Sequence, residues 1–171
     1  MKNARKPVGA SLVVKNELLL PNDTNTLNNL MGGRLMQWMD IAGGISAQKH
    51  SNSLVVTASV DNISFGRPIE LGCVVTLTAQ VSRAFNTSME VYIEVWAENV
   101  PGHKKFKSNS AFFTFVAVDK VGNPVQVPEA FPETEKEKTL YEGALQRRQL
   151  RLILAGRMKP GDADELKSLF K

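Results

Sequence analysis

Five stretches of the chain, residues 10–20, 53–63, 73–83, 88–99 and 108–119, alternate apolar with polar side chains or concentrate β-branched and aromatic ones. The fourth is the clearest: Met89, Val91, Ile93, Val95 and Ala97 point one way, and Glu90, Tyr92, Glu94, Trp96 and Glu98 the other. A period of two describes strands with one buried and one wetter face, as in an antiparallel sheet. Turns punctuate them at Phe65-Gly66-Arg67-Pro68, Phe85-Asn86-Thr87-Ser88, Pro101-Gly102-His103 and Val121-Gly122-Asn123-Pro124. Between the first and second strands the period changes. Over residues 32–50, Leu35, Met39, Ala42 and Ser46 share one helical face, while Met36, Trp38, Ile41 and Ile45 cover much of the remaining circumference. A helix apolar nearly all round is expected to be buried.

The pattern predicts an α+β fold in which a curved antiparallel sheet of about five strands wraps one central helix, formed by residues 1–130. Residues 131–171 are expected as a C-terminal helical extension, packed outside the domain or on a neighbouring subunit. Thr134 followed three residues later by Glu137 makes a capping-box start. The helix then runs through Leu140, Ala144, Arg147 and Arg151 toward Ala155-Gly156, before Pro160-Gly161-Asp162 breaks it. Its acidic start and basic finish match the helix dipole, so Arg147, Arg148, Arg151 and Arg157 are expected on a solvated helix end.

Composition narrows the function classes. A chain of 171 residues, 43% hydrophobic and 22% charged, fills one core and is short for two. No apolar run approaches the roughly 20 residues that cross a bilayer, and Lys15, Asn16 and Glu17 interrupt any leader-like start. A single cysteine, Cys73, forms no internal disulfide and fits a reducing, cytoplasmic setting; it is expected in a strand, as core. The net charge of +4 is dispersed over several clusters, without zinc-finger, basic-zipper or aromatic RNA-binding patterns. Neither nucleic acid nor a membrane is expected as a partner, whereas a phosphorylated small ligand fits. His50 and His103 lack metal-ligand spacing and no serine triad is patterned, so neither metal nor cofactor is expected.

One segment carries chemistry. Asp40 is the only acid between Asp23 and Asp61 and stands mid-helix beside Met36, Met39 and Ile41. A carboxylate sunk there costs several kcal/mol unless it is hydrogen-bonded or neutralised, so it is either a structural anchor or a reactive group. Gly32-Gly33 opens the helix, where free N–H groups of a first turn make an anion or oxyanion site, or simply a tight entry turn. Asn28 and Asn29 stand just ahead, in cap or left-handed positions.

Taken together, Asp23-Thr24-Asn25, Asn28-Asn29-Leu30-Met31-Gly32-Gly33 and Met39-Asp40 resemble the motif of the hotdog-fold acyl-CoA thioesterases, in their acyl-CoA hydrolase branch. Phe65-Gly66-Arg67-Pro68 with Gly72, and residues 111–118 with Gly122, Pro124, Val127 and Pro128, extend the likeness over about residues 18–142. One departure is Asn28, where the family has glycine; Asn tolerates the left-handed region, and counting back from Gly32 favours Asn29 over Asn28 as the amide donor. The resemblance implies hydrolysis of fatty acyl-CoA to free acid and CoA, with CoA entering only as part of the substrate. Asp40 would be general base or nucleophile, and Asn29 with the Gly33 N–H would polarise the carbonyl across a dimer interface. A single such domain exposes sheet edges and a hydrophobic helix flank, so a homodimer with sheets joined edge to edge is expected; a hexamer built as a trimer of dimers is implied by the resemblance alone. Met36, Met39 and Trp38 are candidates to line a tunnel for the acyl chain, or are plain core; Gly32 is expected to bind substrate, with Arg67, Lys104, Lys105 and Lys107 near the CoA phosphates. The alternative is a non-catalytic acyl-CoA or lipid-binding module on the same scaffold.

Overall fold

Val75, Leu77, Ala79 and Val81 on one strand and Met89, Val91, Ile93, Val95 and Ala97 on its neighbour are wholly removed from solvent. That double row is the centre of the structure, a computed structural model that describes residues 4–61, 63 and 65–170. The strands are β1 (Arg5–Pro7), β2 (Val13–Leu18), β3 (Leu54–Val60), β4 (Val74–Ala84), β5 (Ser88–Asn99), β6 (Lys104–Val118) and β7 (Glu129–Phe131). Five form one antiparallel sheet in the order β2-β4-β5-β6-β3. Bulges between Thr57 and Ser59, Val81 and Arg83, and Val95 and Trp96 bend it, since an extra residue on one side of a ladder raises the local twist.

The long helix α1 (Gly32–Ser51) lies in the curl and touches all five strands. Gly43 sets how closely it approaches: a Cβ there would come within 2.9 Å of the Phe115 ring and 3.1 Å of Ile93. Leu35, Trp38, Met39, Ala42, Ser46 and Ala47 complete the apolar contact. The expected architecture, a hotdog fold, is therefore the one observed. The strand ends differ from expectation for local reasons. Residues Val8–Ser11 form a 3-10 turn, so β2 starts only at Val13. β6 begins earlier than residue 108 because Phe106 keeps pairing with Ala97 on β5. Cys73 is buried on the residue just before β4, and burial raises its thiol pKa.

The burial expected for α1 is corrected. Met36, Ile41 and Ile45 stay exposed, at 39–43% of their area. They form a stripe on the side away from the sheet contact, beside β3, whose outer edge is unpaired among the described residues. An all-round apolar helix needs two covering surfaces, and this chain provides one.

A parallel clasp of β1 with β7 was not visible in the pattern, because three residues carry no period. From β1, the Lys6 amine donates to the carbonyls of His50 (2.9 Å) and Lys49 (3.3 Å) at the end of α1. His50 is buried there, its Nε2 2.9 Å from the Pro128 carbonyl, and burial lowers its pKa.

The helix α2 (Glu135–Leu154) lies across the outer face of the sheet. Its capping box forms as expected, with the Glu137 carboxylate accepting from Thr134 N–H (2.9 Å) and from Gln80 of β4 (2.7 Å). The solvated arginine end forms only at Arg157, which is exposed. Arg147 and Arg151 reach down to Glu90 at 2.8–3.2 Å, Ser82 Oγ donates to the same carboxylate at 2.6 Å, and Arg151 also pairs with Asp61 at 2.9 Å. Glu90, expected on the wetter face, is 0% exposed. Because α2 covers that face, the carboxylate needs paired, hydrogen-bonded cations to be buried at all.

Candidate active site

The loop from β2 to α1 is held by its own amides. The Asn25 side-chain carbonyl accepts from the N–H groups of Leu27 (2.9 Å) and Asn29 (3.2 Å), while Asn25 N–H donates to the Asn29 carbonyl at 2.8 Å. This ring closes because Asn28 adopts φ +57°, the left-handed conformation that Asn accepts more readily than most side chains. Leu30 N–H is anchored to the Ile69 carbonyl, and Met31 N–H to that of Asp23. The chain then enters α1 with Met31 at the cap and no side chain capping the first turn. The N–H groups at Gly32 and Gly33 thus sit at the positive end of the helix dipole.

A cavity of about 310 Å³ opens at this point, lined by Asn25, Asn29, Gly32, Leu35, Phe65 and Arg67, among others. Its walls join the loop, the start of α1 and the segment after β3, with Ser108 of β6 at one side. The Arg67 guanidinium stacks on Phe106 at 3.7 Å, which fixes a cation at the rim. Gly32 packs against the Phe65 ring, whereas a Cβ at Gly33 would meet nothing within 4 Å.

Asp40 is not part of that lining. It lies two turns along α1, half-buried rather than sunk, on the same uncovered side as Gly33, Met36 and Ile41. The Thr57 hydroxyl of β3 donates to its Oδ1 at 2.5 Å. Met39 beside it is fully buried core, while Met36 is free to meet another molecule. The lysines lie elsewhere, on the hairpin between β5 and β6. Lys107 pairs with Glu94 at 3.0 Å and Lys105 approaches Glu98 at 3.9 Å, both on the outer face, and Lys104 is exposed. Within one chain the structure therefore gathers Asn25, Asn29, Gly32 and Arg67, and sets Asp40 with Thr57 apart from them.

The thioesterase superfamily profile matches residues 27–101. The uncharacterised acyl-CoA thioester hydrolase YkhA of Bacillus subtilis is 41% identical, with 80% of each chain covered. The chain belongs to the acyl-CoA hydrolases of the thioesterase superfamily. Acyl-coenzyme A thioesterase 11 of mouse is 40% identical over 86% of this chain, which spans only 25% of that longer relative. Among solved structures, a hexameric acyl-CoA thioesterase superposes with a TM-score of 0.86 at 38% identity, covering 89% of this chain and 97% of that one. The acyl-CoA hydrolase of Staphylococcus aureus, solved with butyryl-CoA and CoA, gives 0.82 at 34% identity, covering 98% and 99%.

Variants of that S. aureus hydrolase with one asparagine, one aspartate or one threonine replaced by alanine have also been solved, the three positions lying fifteen and seventeen residues apart. Asn25, Asp40 and Thr57 of this thioesterase stand at the same two intervals. Neither Asn25 nor Thr57 was singled out from sequence. The signal for Asn25 was present in the Asp23-Thr24-Asn25 triplet; Thr57 sits in an ordinary edge-strand pattern and had none.

Proposed function

We propose that the chain hydrolyses acyl-CoA with water to a free carboxylic acid and CoA, in an active site assembled from two copies of the chain. One copy supplies Asp40 held by Thr57; the other supplies Asn25 and the Gly33 N–H. The observation carrying this reading is the position of Asp40, a carboxylate pinned by a hydroxyl on a helix face its own chain leaves uncovered, away from the cavity that holds the amides. With Oδ1 engaged by Thr57, Oδ2 is left to take a proton from water as the water oxygen bonds to the thioester carbon. The carbonyl oxygen gains charge, and the Asn25 amide with the Gly33 N–H donates to it. The C–S bond then breaks, and the departing sulfur recovers the proton from Asp40.

Asn25 takes the donor role in this proposal ahead of Asn29. Its side-chain carbonyl is locked by two backbone N–H groups, which aims its Nδ2 protons, and its spacing to Asp40 supports the choice. Arg67 is the proposed cation for the CoA phosphates, with Met36 and Gly32 beside the acyl chain. The second copy is proposed to cover the exposed stripe of α1 and continue the sheet at β3, within a hexamer like that of the solved relative. The cytosol is the proposed compartment, since relatives 39% identical are named as cytosolic acyl-CoA thioester hydrolases, although the chain spans 33% of them.

Thiol release from a panel of acyl-CoAs tests the mechanism. Asp40→Asn and Asn25→Ala should each reduce kcat by about 10²–10³, with Asn29→Ala far milder. Mixed oligomers of Asp40→Asn and Asn25→Ala chains should recover turnover that neither has alone. Wild-type release by a folded Asp40→Asn oligomer would end the assignment.

A further inference from the structure

The arginines of α2 outnumber the acids they meet. Arg147 and Arg151 face Glu90 and Asp61, two cations for two carboxylates. Among the described residues, no carboxylate lies within salt-bridge distance of Arg148 or Arg157. Arg148 donates to the Ser88 hydroxyl at 3.4 Å and lies over the Phe85 ring at 4.3 Å. Gly156, at φ +68°, closes α2 in a turn where its own N–H returns to Ile153 and that of Arg157 to Leu152. That turn folds Arg157 back beside the helix.

Arg148, Arg151 and Arg157 consequently line one cavity of about 320 Å³. Its floor is the outer face of the sheet, where Ser59 of β3 and Thr114 of β6 are paired neighbours and Ser88 opens β5. Thr114 Oγ1 is out of solvent and has no hydrogen-bond partner. Among the described residues two positive charges are left over, and the carbonyls at the end of a helix offset only about half of one. The crowding is felt by Arg148, whose pKa is lowered by burial and then by the charges of Arg151 and Arg157.

We propose that this cavity binds a phosphate group, with Arg148 and Arg157 facing its charge and the Ser59 hydroxyl donating to its oxygens. A phosphate monoester carries about −1.5 to −2 at neutral pH, matching the excess, where a carboxylate would leave one cation unmet. Guanidinium forks also fit phosphate oxygens in pairs. Two sources share this chemistry, the phosphates of CoA and a separate phosphate-bearing anion. The site is built independently of Asp40 and Asn25.

Calorimetric titration of the assembled protein with inorganic pyrophosphate at low salt is the primary test. Saturable binding is expected, weakened about tenfold by Arg157→Gln and by Arg148→Gln, and further by added chloride. Arg157 is exposed, so its replacement leaves the fold alone, and Ser59→Ala checks the floor. The two sources separate in kinetics. If the cavity holds CoA phosphates, Arg157→Gln raises KM for acyl-CoA but not for the acyl-pantetheine that lacks them. If it holds another anion, both KM values stay put while pyrophosphate binding is still lost. No saturable binding at millimolar pyrophosphate, including because an acid from a neighbouring copy fills the cavity, or equal affinity in all variants, overturns the proposal. Failure of Asp40→Asn to impair thiol release bears only on the earlier mechanism.

Discussion

The two faces of the sheet are closed by opposite means. On the inner face α1 meets rows of Val, Ile, Phe and Met, and Gly43 lets helix and sheet backbones come together. On the outer face α2 is fastened by Glu90, Arg147, Arg151 and Asp61, with the Phe112 ring 3.9 Å beneath Arg147. Apolar contact is roughly proportional to area and indifferent to which neighbour supplies it. An ionic fastening instead depends on every member being present, because one removed partner strands a buried charge. The inner face therefore tolerates exchanges that keep its volume, and the outer face tolerates few changes of count.

Glu90→Leu should break this contrast most visibly, destabilising the fold by about 3–5 kcal/mol in urea titration. Adding Arg147→Met should restore much of that loss, as replacing both partners by apolar groups removes the stranded charge. On the other face, Gly43→Ala should lose about 1–3 kcal/mol by overpacking against Phe115 and Ile93. A loss there larger than that of Glu90→Leu would reverse the comparison. Acid separates the faces more gently. His50, at the α1 side, has its pKa lowered from 6.5, so the stability it contributes is present above 6.5 and is lost as pH falls below it. Glu94, on the outer face, would be raised by burial, but hydrogen bonds from Lys107, Lys136 and Tyr92 pull it down to about 2 from 4.5. Its contribution is present above 4.5 and fades between there and about 2. Melting temperature against pH should therefore show two declines, with Glu94→Gln shrinking the lower, which Glu137 shares, and leaving the upper unchanged.

The sequence made the inner face legible and the outer face much less so. Alternation over Met89 to Ala97 identified the buried row of β5, and the Thr134–Glu137 spacing identified the start of α2, since both signals are local. A period of two says which side a residue points to, not what covers that side, so Glu90 read as solvated. Met36, Ile41 and Ile45 read as core for the same reason: apolar character marks a surface to be covered without saying by which chain. At the site, Asp40 stood out as an acid on an apolar helix and Asn28 as a residue suited to φ +57°. Thr57 acquires meaning only from the fold, which brings a hydroxyl seventeen residues away to 2.5 Å from the carboxylate.

The clasp of β1 with β7 joins residues 5–7 to 129–131, and through Lys6 it also fastens the last carbonyls of α1. Contacts so distant in sequence close late, after the intervening chain has been arranged. A polypeptide still leaving the ribosome can form the start of α1, with its loop and carboxylate, well before it can secure the end. Truncation or fusion at the amino terminus should for that reason be felt at the far end of the helix, and in the lifetime of the folded state before its chemistry.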